Sequence, residues 1–188
     1  MQAIIDACKD GQLPAKPVVV ISNNRESGAL KIASKENIPS YLLSKNYDTP
    51  EELDALIIKI LIDNHVDLVI LAGYMKKLGK QIIETFPNRI INIHPSLLPE
   101  HGGKGMYGLN VHQAVIDAGE KVTGATVHLV NDEYDQGKIL AQRNLAVYPD
   151  DNAESLARRV LEIEHLLYTE TLQRIISGEI KLPDIIFF

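Results

Sequence analysis

A single cysteine, Cys8, stands in 188 residues, which excludes a disulfide framework or a thiolate metal cluster within one chain. Its setting, Ala3-Ile4-Ile5-Asp6-Ala7-Cys8, has a helical pattern that predicts a buried structural thiol rather than a nucleophile. Basic runs are lacking too. With 19 Lys and Arg against 25 Asp and Glu, net charge is −6, so nucleic-acid binding is not expected and only a local basic pocket for phosphate or carboxylate is allowed. Apolar stretches such as Leu68–Ala72 fall far short of the roughly 20 residues that span a bilayer. No basic segment followed by an apolar one opens the chain, so a cytoplasmic address is expected. The six histidines (65, 94, 101, 112, 128, 165) include no His-Glu-x-x-His spacing, and no metal site is expected.

What is present is the composition of an ordinary globular protein, 45% hydrophobic and 23% charged, in a length that suits one domain over residues 1–188. Short β-branched runs alternate with amphipathic patterns. Helices are expected at Gln2–Lys9, Gly28–Glu36, from Thr49-Pro50-Glu51-Glu52, Gly79–Phe86, Leu109–Ala118 and Asn152–Ser177. Strands are expected at Val18–Ile21, Ile38–Leu43, Asp67–Ala72, Arg89–His94, Thr123–Val130 and Lys138–Val147, the last two antiparallel. The tail from Gly178 to Phe188 reads as extended. This order predicts an α/β fold, a doubly wound and mostly parallel sheet with helices on both faces and an antiparallel C-terminal extension. Ligands bind at the carboxyl mouths of such strands.

Two stretches carry chemistry. In Asn92-Ile93-His94-Pro95-Ser96-Leu97-Leu98-Pro99, strand alternation puts Asn92 and His94 on one face, and Pro95 ends the strand directly after them. An amide and an imidazole at a strand mouth can both donate to a developing oxyanion, while the plainer reading is a strand-end turn with a half-buried histidine. Gly124–Gly137 is an alternating strand that runs into an acidic turn. There Asp135 reads either as a turn residue bonding its own backbone or as a carboxylate that orients and charges an imidazole. Glu100–Gly108, with four glycines, reads as a mobile loop or lid.

These stretches, with Leu71-Ala72-Gly73-Tyr74-Met75 and Glu164-His165, resemble the phosphoribosylglycinamide (GAR) formyltransferases of the folate-dependent formyltransferase superfamily, over Gln2 to about Leu182. The resemblance implies transfer of the formyl group of 10-formyltetrahydrofolate to the amine of GAR in purine biosynthesis. It implies a catalytic trio of Asn92, His94 and Asp135, with Asn92 and His94 on the oxyanion and Asp135 raising the His94 pKa and relaying a proton. It also implies folate contacts at Met75, Lys76, Lys77, Leu78, Asn92 and Asn131, Asp132, Glu133, Tyr134, Asp135, and GAR contacts at Leu161, Glu162, Ile163 and Glu164. His128 reads as a core histidine near the site. The expected partners are small molecules only, with no nucleic acid or membrane, on a monomer or homodimer.

The family opens with a strand and a Gly-Ser-Asn loop that holds the substrate phosphate, followed by Gln-Ala-Ile. Here Gln2-Ala3-Ile4 follows Met1 directly, so that first strand and phosphate loop are expected to be missing. The alternative functions are a weak or silent folate-binding homologue and another 10-formyltetrahydrofolate user, a hydrolase or a different formyltransferase.

Overall fold

Thr49 shows how local sequence sets an element boundary: its side chain accepts the Glu52 N–H at 3.2 Å, and Pro50 follows at the first helical position. In the computed structural model, which describes residues 1–43 and 49–183, this cap opens α3 (Pro50–Asp63). Before it come α1 (Gln2–Lys9), β1 (Val20–Ser22), α2 (Gly28–Lys35) and β2 (Ser40–Leu42). After it come β3 (Val69–Leu71), α4 (Lys80–Thr85), β4 (Ile90–His94), α5 (Leu109–Asp117), β5 (Val122–Leu129), β6 (Ile139–Ala146) and α6 (Ala153–Ile176). All twelve overlap the sequence-derived segments; β1 runs one residue past its segment to Ser22, β5 starts one residue early at Val122, and the other strands are shorter or match. Asn152 and Ser155 close a reciprocal capping box on α6, which explains why the longest helix starts where it does.

The hydrogen-bonded ladders are β1-β2, parallel, and β3-β4-β5-β6, in which β3-β4 is parallel and β4-β5 and β5-β6 are antiparallel. The single expected sheet is thus divided. β1 and β3 exchange no ladder bonds, yet Ile21, Val69 and Leu71 pack on one apolar cluster with Leu61, Ile82, Phe86 and Ile90. Strand alternation gives β4 two covered faces. Ile90 joins that cluster under α3 and α4, while Ile91 joins Ile4, Ala7, Leu167 and Leu172 under α1 and α6. Completely buried Leu156 and Val160 fix α6 against Val115 of α5, each contributing roughly 1.5–3 kcal/mol by burial. Tyr168 then ties α6 to both β3 and β4, its one hydroxyl proton shared between the carbonyls of Leu71 (2.9 Å) and Ile91 (3.1 Å).

The tail departs from the extended reading: it turns at Gly178, where φ is +78°, and the Ile180 N–H returns to the Arg174 carbonyl. Residues 184–188 lie outside the described residues. Among the described residues no helix is long and apolar enough to cross a membrane.

Candidate active site

β4 ends at His94 because Pro95 has no N–H to continue the ladder, and the chain then folds back through Ser96 to Pro99. Thr126, fully buried on β5, holds that turn: its hydroxyl donates to the Ser96 carbonyl (2.7 Å) and accepts the Leu98 N–H (3.0 Å). The antiparallel register sets His128 opposite Asn92 and Thr126 opposite His94, with a ladder irregularity at Val127/His128. Two β4 residues and one β5 residue therefore converge at one strand mouth. The turn after β5 returns Asp135 to the same point in a left-handed conformation, φ +56°, which aspartate tolerates better than most residues.

There Asp135 bridges two imidazoles. Its Oδ2 lies 3.5 Å from His94 Nδ1 and its Oδ1 lies 3.6 Å from His128 Nε2, while Oδ2 also accepts the Gly103 N–H at 2.9 Å. Burial pushes the Asp135 carboxyl up, but the two rings and the Gly103 N–H outweigh it and hold the group below its ordinary value. His94 is only 3% exposed. Burial lowers its pKa, and the opposing pull of Asp135 and the His101 carbonyl does not reverse this. The expected rise of His94 toward the imidazolium is therefore corrected: desolvation wins, and the resting ring is neutral. Nε2 lies 2.9 Å from the His101 carbonyl, which only accepts, so Nε2 carries a proton, and Nδ1 is the ring nitrogen that faces Asp135. The same bond engages the His94 donor that the resemblance directs at an oxyanion.

Asn92 Nδ2 donates to His128 Nε2 at 3.2 Å, and His128 Nδ1 donates to its neighbour's carbonyl, Leu129, at 2.8 Å. One amide N–H of Asn92 is left over. These groups open into a cavity of about 780 Å³, within the size range of small-molecule sites. Met75, Lys76, Lys77 and Leu78 form one wall, with Met75 61% exposed and Leu78 turned partly into the core. Asn131, Glu133 and Tyr134 form another, with Lys77 Nζ 6.0 Å from the centre of the Tyr134 ring. Asp132, predicted beside them, does not line the cavity. On α6, Leu161 and Glu164 face the cavity together with His165 and Tyr168. Glu162 and Ile163 do not: the helical period carries Glu162 to solvent and Ile163 into the core. Burial pushes the Glu164 carboxyl up to about 7, partly offset by the Met1 amino group.

The sequence reading missed three contributors. His128, expected as a core histidine near the site, is 2% exposed and bonded at both ring nitrogens. His101 acts through its backbone carbonyl at φ +53°, for which no side-chain signal exists. His112, 4% exposed on α5, lines the cavity with an unpartnered Nδ1, and burial lowers its pKa. The Gly103 N–H, in the predicted lid, is the third. Cys8 lies partly buried on the core, and burial raises its pKa. Among the described residues no three His, Cys, Asp or Glu side chains are grouped to hold a metal ion.

Residues 1–172 match the formyl transferase family. The chain is 40% identical over 180 residues to the chloroplastic phosphoribosylglycinamide formyltransferase of Arabidopsis thaliana, covering 95% of this chain and 62% of that protein. It is 40% identical over 185 residues to the phosphoribosylglycinamide formyltransferase of Haemophilus influenzae, covering 98% of this chain and 85% of that one. Against the plant relatives it thus spans about three fifths of their length, 62% and 58%. The crystal structure of phosphoribosylglycinamide formyltransferase from Bacillus halodurans superposes with a TM-score of 0.88 at 34% identity, over 95% of this chain and 90% of that chain. The fold, the strand-mouth constellation and these likenesses agree: the chain belongs to the formyl transferase family, among the phosphoribosylglycinamide formyltransferases.

Proposed function

We propose that the chain transfers the formyl group of 10-formyltetrahydrofolate to the amine of 5'-phosphoribosylglycinamide, a step of purine biosynthesis. The observation that carries this reading is the convergence of Asn92, His94 and Asp135 on one large cavity. The names of the relatives support the substrate pair. The walls at Met75–Leu78 and at Asn131, Glu133, Tyr134 and Asp135 receive the folate, and Leu161 and Glu164 on α6 face the second substrate. The reading includes one domain acting on small molecules without nucleic acid or membrane. It includes a reducing, cytoplasmic setting, which the lone cysteine supports.

The amine nitrogen adds to the formyl carbon, and the carbonyl electron pair moves onto oxygen. The N–H of Asn92 that is not given to His128 holds this oxyanion, a contribution of about 3 kcal/mol for such a donor. Neutral His94 takes up the amine proton at Nδ1, directly or through a water, and Asp135 stabilises the resulting imidazolium at 3.5 Å. His94 then returns the proton to the folate N10 as the carbon–N10 bond breaks, leaving a formamide and tetrahydrofolate.

Mixing the protein with both substrates tests the proposal. Tetrahydrofolate and formylated product in equal amounts are expected. Tetrahydrofolate and free formate, formed without the amine, replace the reading with a hydrolase. Folate binding with no turnover replaces it with a silent binder.

A further inference from the structure

One wall of the cavity is held from behind. The segment 72–78 links β3 to α4, and its side chains from Tyr74 to Leu78 line the cavity. Its β3 end is fixed by the ladder to β4. Its other end is α4, a helix of six residues whose N-cap, Gly79, has no side chain with which to satisfy the first backbone donors. A carboxylate from another helix takes that place. Asp54 on α3 is 9% exposed, its carboxylate lies against Gly79, and the backbone N–H of Gln81, the second residue of α4, favours its ionised form.

The fit at this contact is close. A Cβ on Gly79 would overlap both carboxylate oxygens of Asp54, so the glycine leaves the space that the carboxylate occupies. Burial raises the Asp54 pKa, as expected for an acid placed inside for a bond rather than for solvation, and its field also reaches the half-buried Tyr74 phenol. An acid facing outward would cost less on α3, whose other buried residues are Ile60 and Leu61.

We propose that Asp54 is a positioning residue of the active site: from the space left by Gly79 it caps α4 and sets the cavity wall from Tyr74 to Leu78 in its ligand-receiving position. It touches no reacting atom. The proposal rests on the folate reading of that wall, and its specificity consequence is that the folate side of the cavity depends on Asp54 while the α6 side does not.

The test uses the full chain, 5-formyltetrahydrofolate as binding probe, and three variants: Asp54→Ala, Asp54→Asn and Gly79→Ala. Asp54→Ala is expected to weaken probe binding about tenfold and to raise the folate KM similarly, with the KM for the amine substrate within twofold. Asp54→Asn keeps an oxygen for the Gln81 N–H and is expected to restore most of the affinity. Gly79→Ala, which displaces the carboxylate without removing it, is expected to reproduce the Asp54→Ala effect. Hydrogen exchange over residues 72–81 is expected to quicken in Asp54→Ala and Gly79→Ala but not in Asp54→Asn. If these two variants lower the melting temperature while probe affinity and wall exchange match wild type, Asp54 is a packing residue and the proposal fails. If either variant does not fold, the other with Asp54→Asn decides on the same readouts. Wild-type protein that binds no folate overturns the functional reading, and slow wall exchange lost in Asp54→Ala then still separates the cap from that failure.

Discussion

Asn92 and His128 meet across the β4–β5 ladder at 3.2 Å, so the amide at the strand mouth is oriented by a ring on the neighbouring strand. His128 is itself fixed by its bond to the Leu129 carbonyl, and its Nε2 stands 3.6 Å from Asp135. Replacing His128 with Phe keeps the bulk and removes all three polar contacts. A lost bond of this kind is worth about 1–3 kcal/mol, so turnover is expected to fall roughly 10- to 100-fold. Folate affinity is expected to change little, because the ring lies under the amide rather than on the wall from Met75 to Leu78. Steady-state kinetics of His128→Phe with a folate titration check both halves.

Asp135 gives a prediction with a defined pH direction. Its carboxyl is held below the ordinary value, so the native state favours the ionised form. The stability this brings is fully present above the unfolded pKa of about 4 and is lost as pH falls through the lower folded value. Asp135→Asn is expected to be less stable than wild type at pH 7, and the gap is expected to narrow as pH falls below about 4. Turnover in the same variant is expected to drop by about 100-fold or more, since His94 loses its counter-ion. Urea unfolding across that pH range measures the first effect, and initial rates at pH 7 measure the second.

How far the sequence reaches is clear from these residues. Strand alternation and Pro95 put Asn92 and His94 together, and the acidic turn supplied Asp135, because each is a local pattern with a side-chain signature. His128 obeyed the same alternation, but its meaning depends on pairing β5 against β4, which sequence alone leaves open. The His101 carbonyl and the Gly103 N–H act through the backbone and leave no mark in residue type. The direction of the His94 shift was misjudged because a charge partner can be named from sequence while the depth of burial cannot. Glu162 and Ile163 came with the helix segment that the resemblance implies as a whole, and the helical period of α6 turns both away from the cavity.

Glu164 gives the opposite pH direction from Asp135. Burial pushes its folded pKa up to about 7 from 4.5, so the native state holds a proton that the unfolded chain has released. Stability is therefore expected to decline as pH rises from about 4.5 to 7, by up to about 3 kcal/mol, and then to level. Glu164→Gln removes the ionisable group while keeping its shape. The variant is expected to be more stable than wild type at pH 8 and equal to it near pH 5. Chemical denaturation at those two pH values is sufficient, and equal stability at pH 8 would remove the buried-acid explanation.

Gly137 is required by close approach of two backbones. A Cβ there would overlap the carbonyl of Leu129, whose oxygen also accepts from the His128 ring. The obstructing atom belongs to β5 and cannot swing aside like a side chain. Gly137→Ala is expected to destabilise the fold by about 1–3 kcal/mol, the usual cost of overpacking. The strain falls on the turn that carries Asp135, so turnover is expected to suffer more than folate binding. A melting curve and a kcat measurement on the same preparation test whether both effects appear together.

Thr126 separates the support of the site from its chemistry. Its hydroxyl, completely buried, bonds the Ser96 carbonyl and the Leu98 N–H and also receives Gln142 Nε2 at 2.9 Å. Val has nearly the same shape and no hydroxyl, so Thr126→Val leaves buried backbone groups without partners while filling the same volume. Each such group costs about 1–3 kcal/mol, and the Ser96–Leu98 turn is the segment that relaxes to relieve it. That turn leads to His101, whose carbonyl orients His94, so the variant is expected to lose stability by about 2–4 kcal/mol and turnover by about tenfold. Thr126→Ser restores the hydroxyl but lacks a methyl group. Recovery of turnover in Ser, with only a partial recovery of stability, would show that the hydrogen bonds govern the site while the methyl group serves the core.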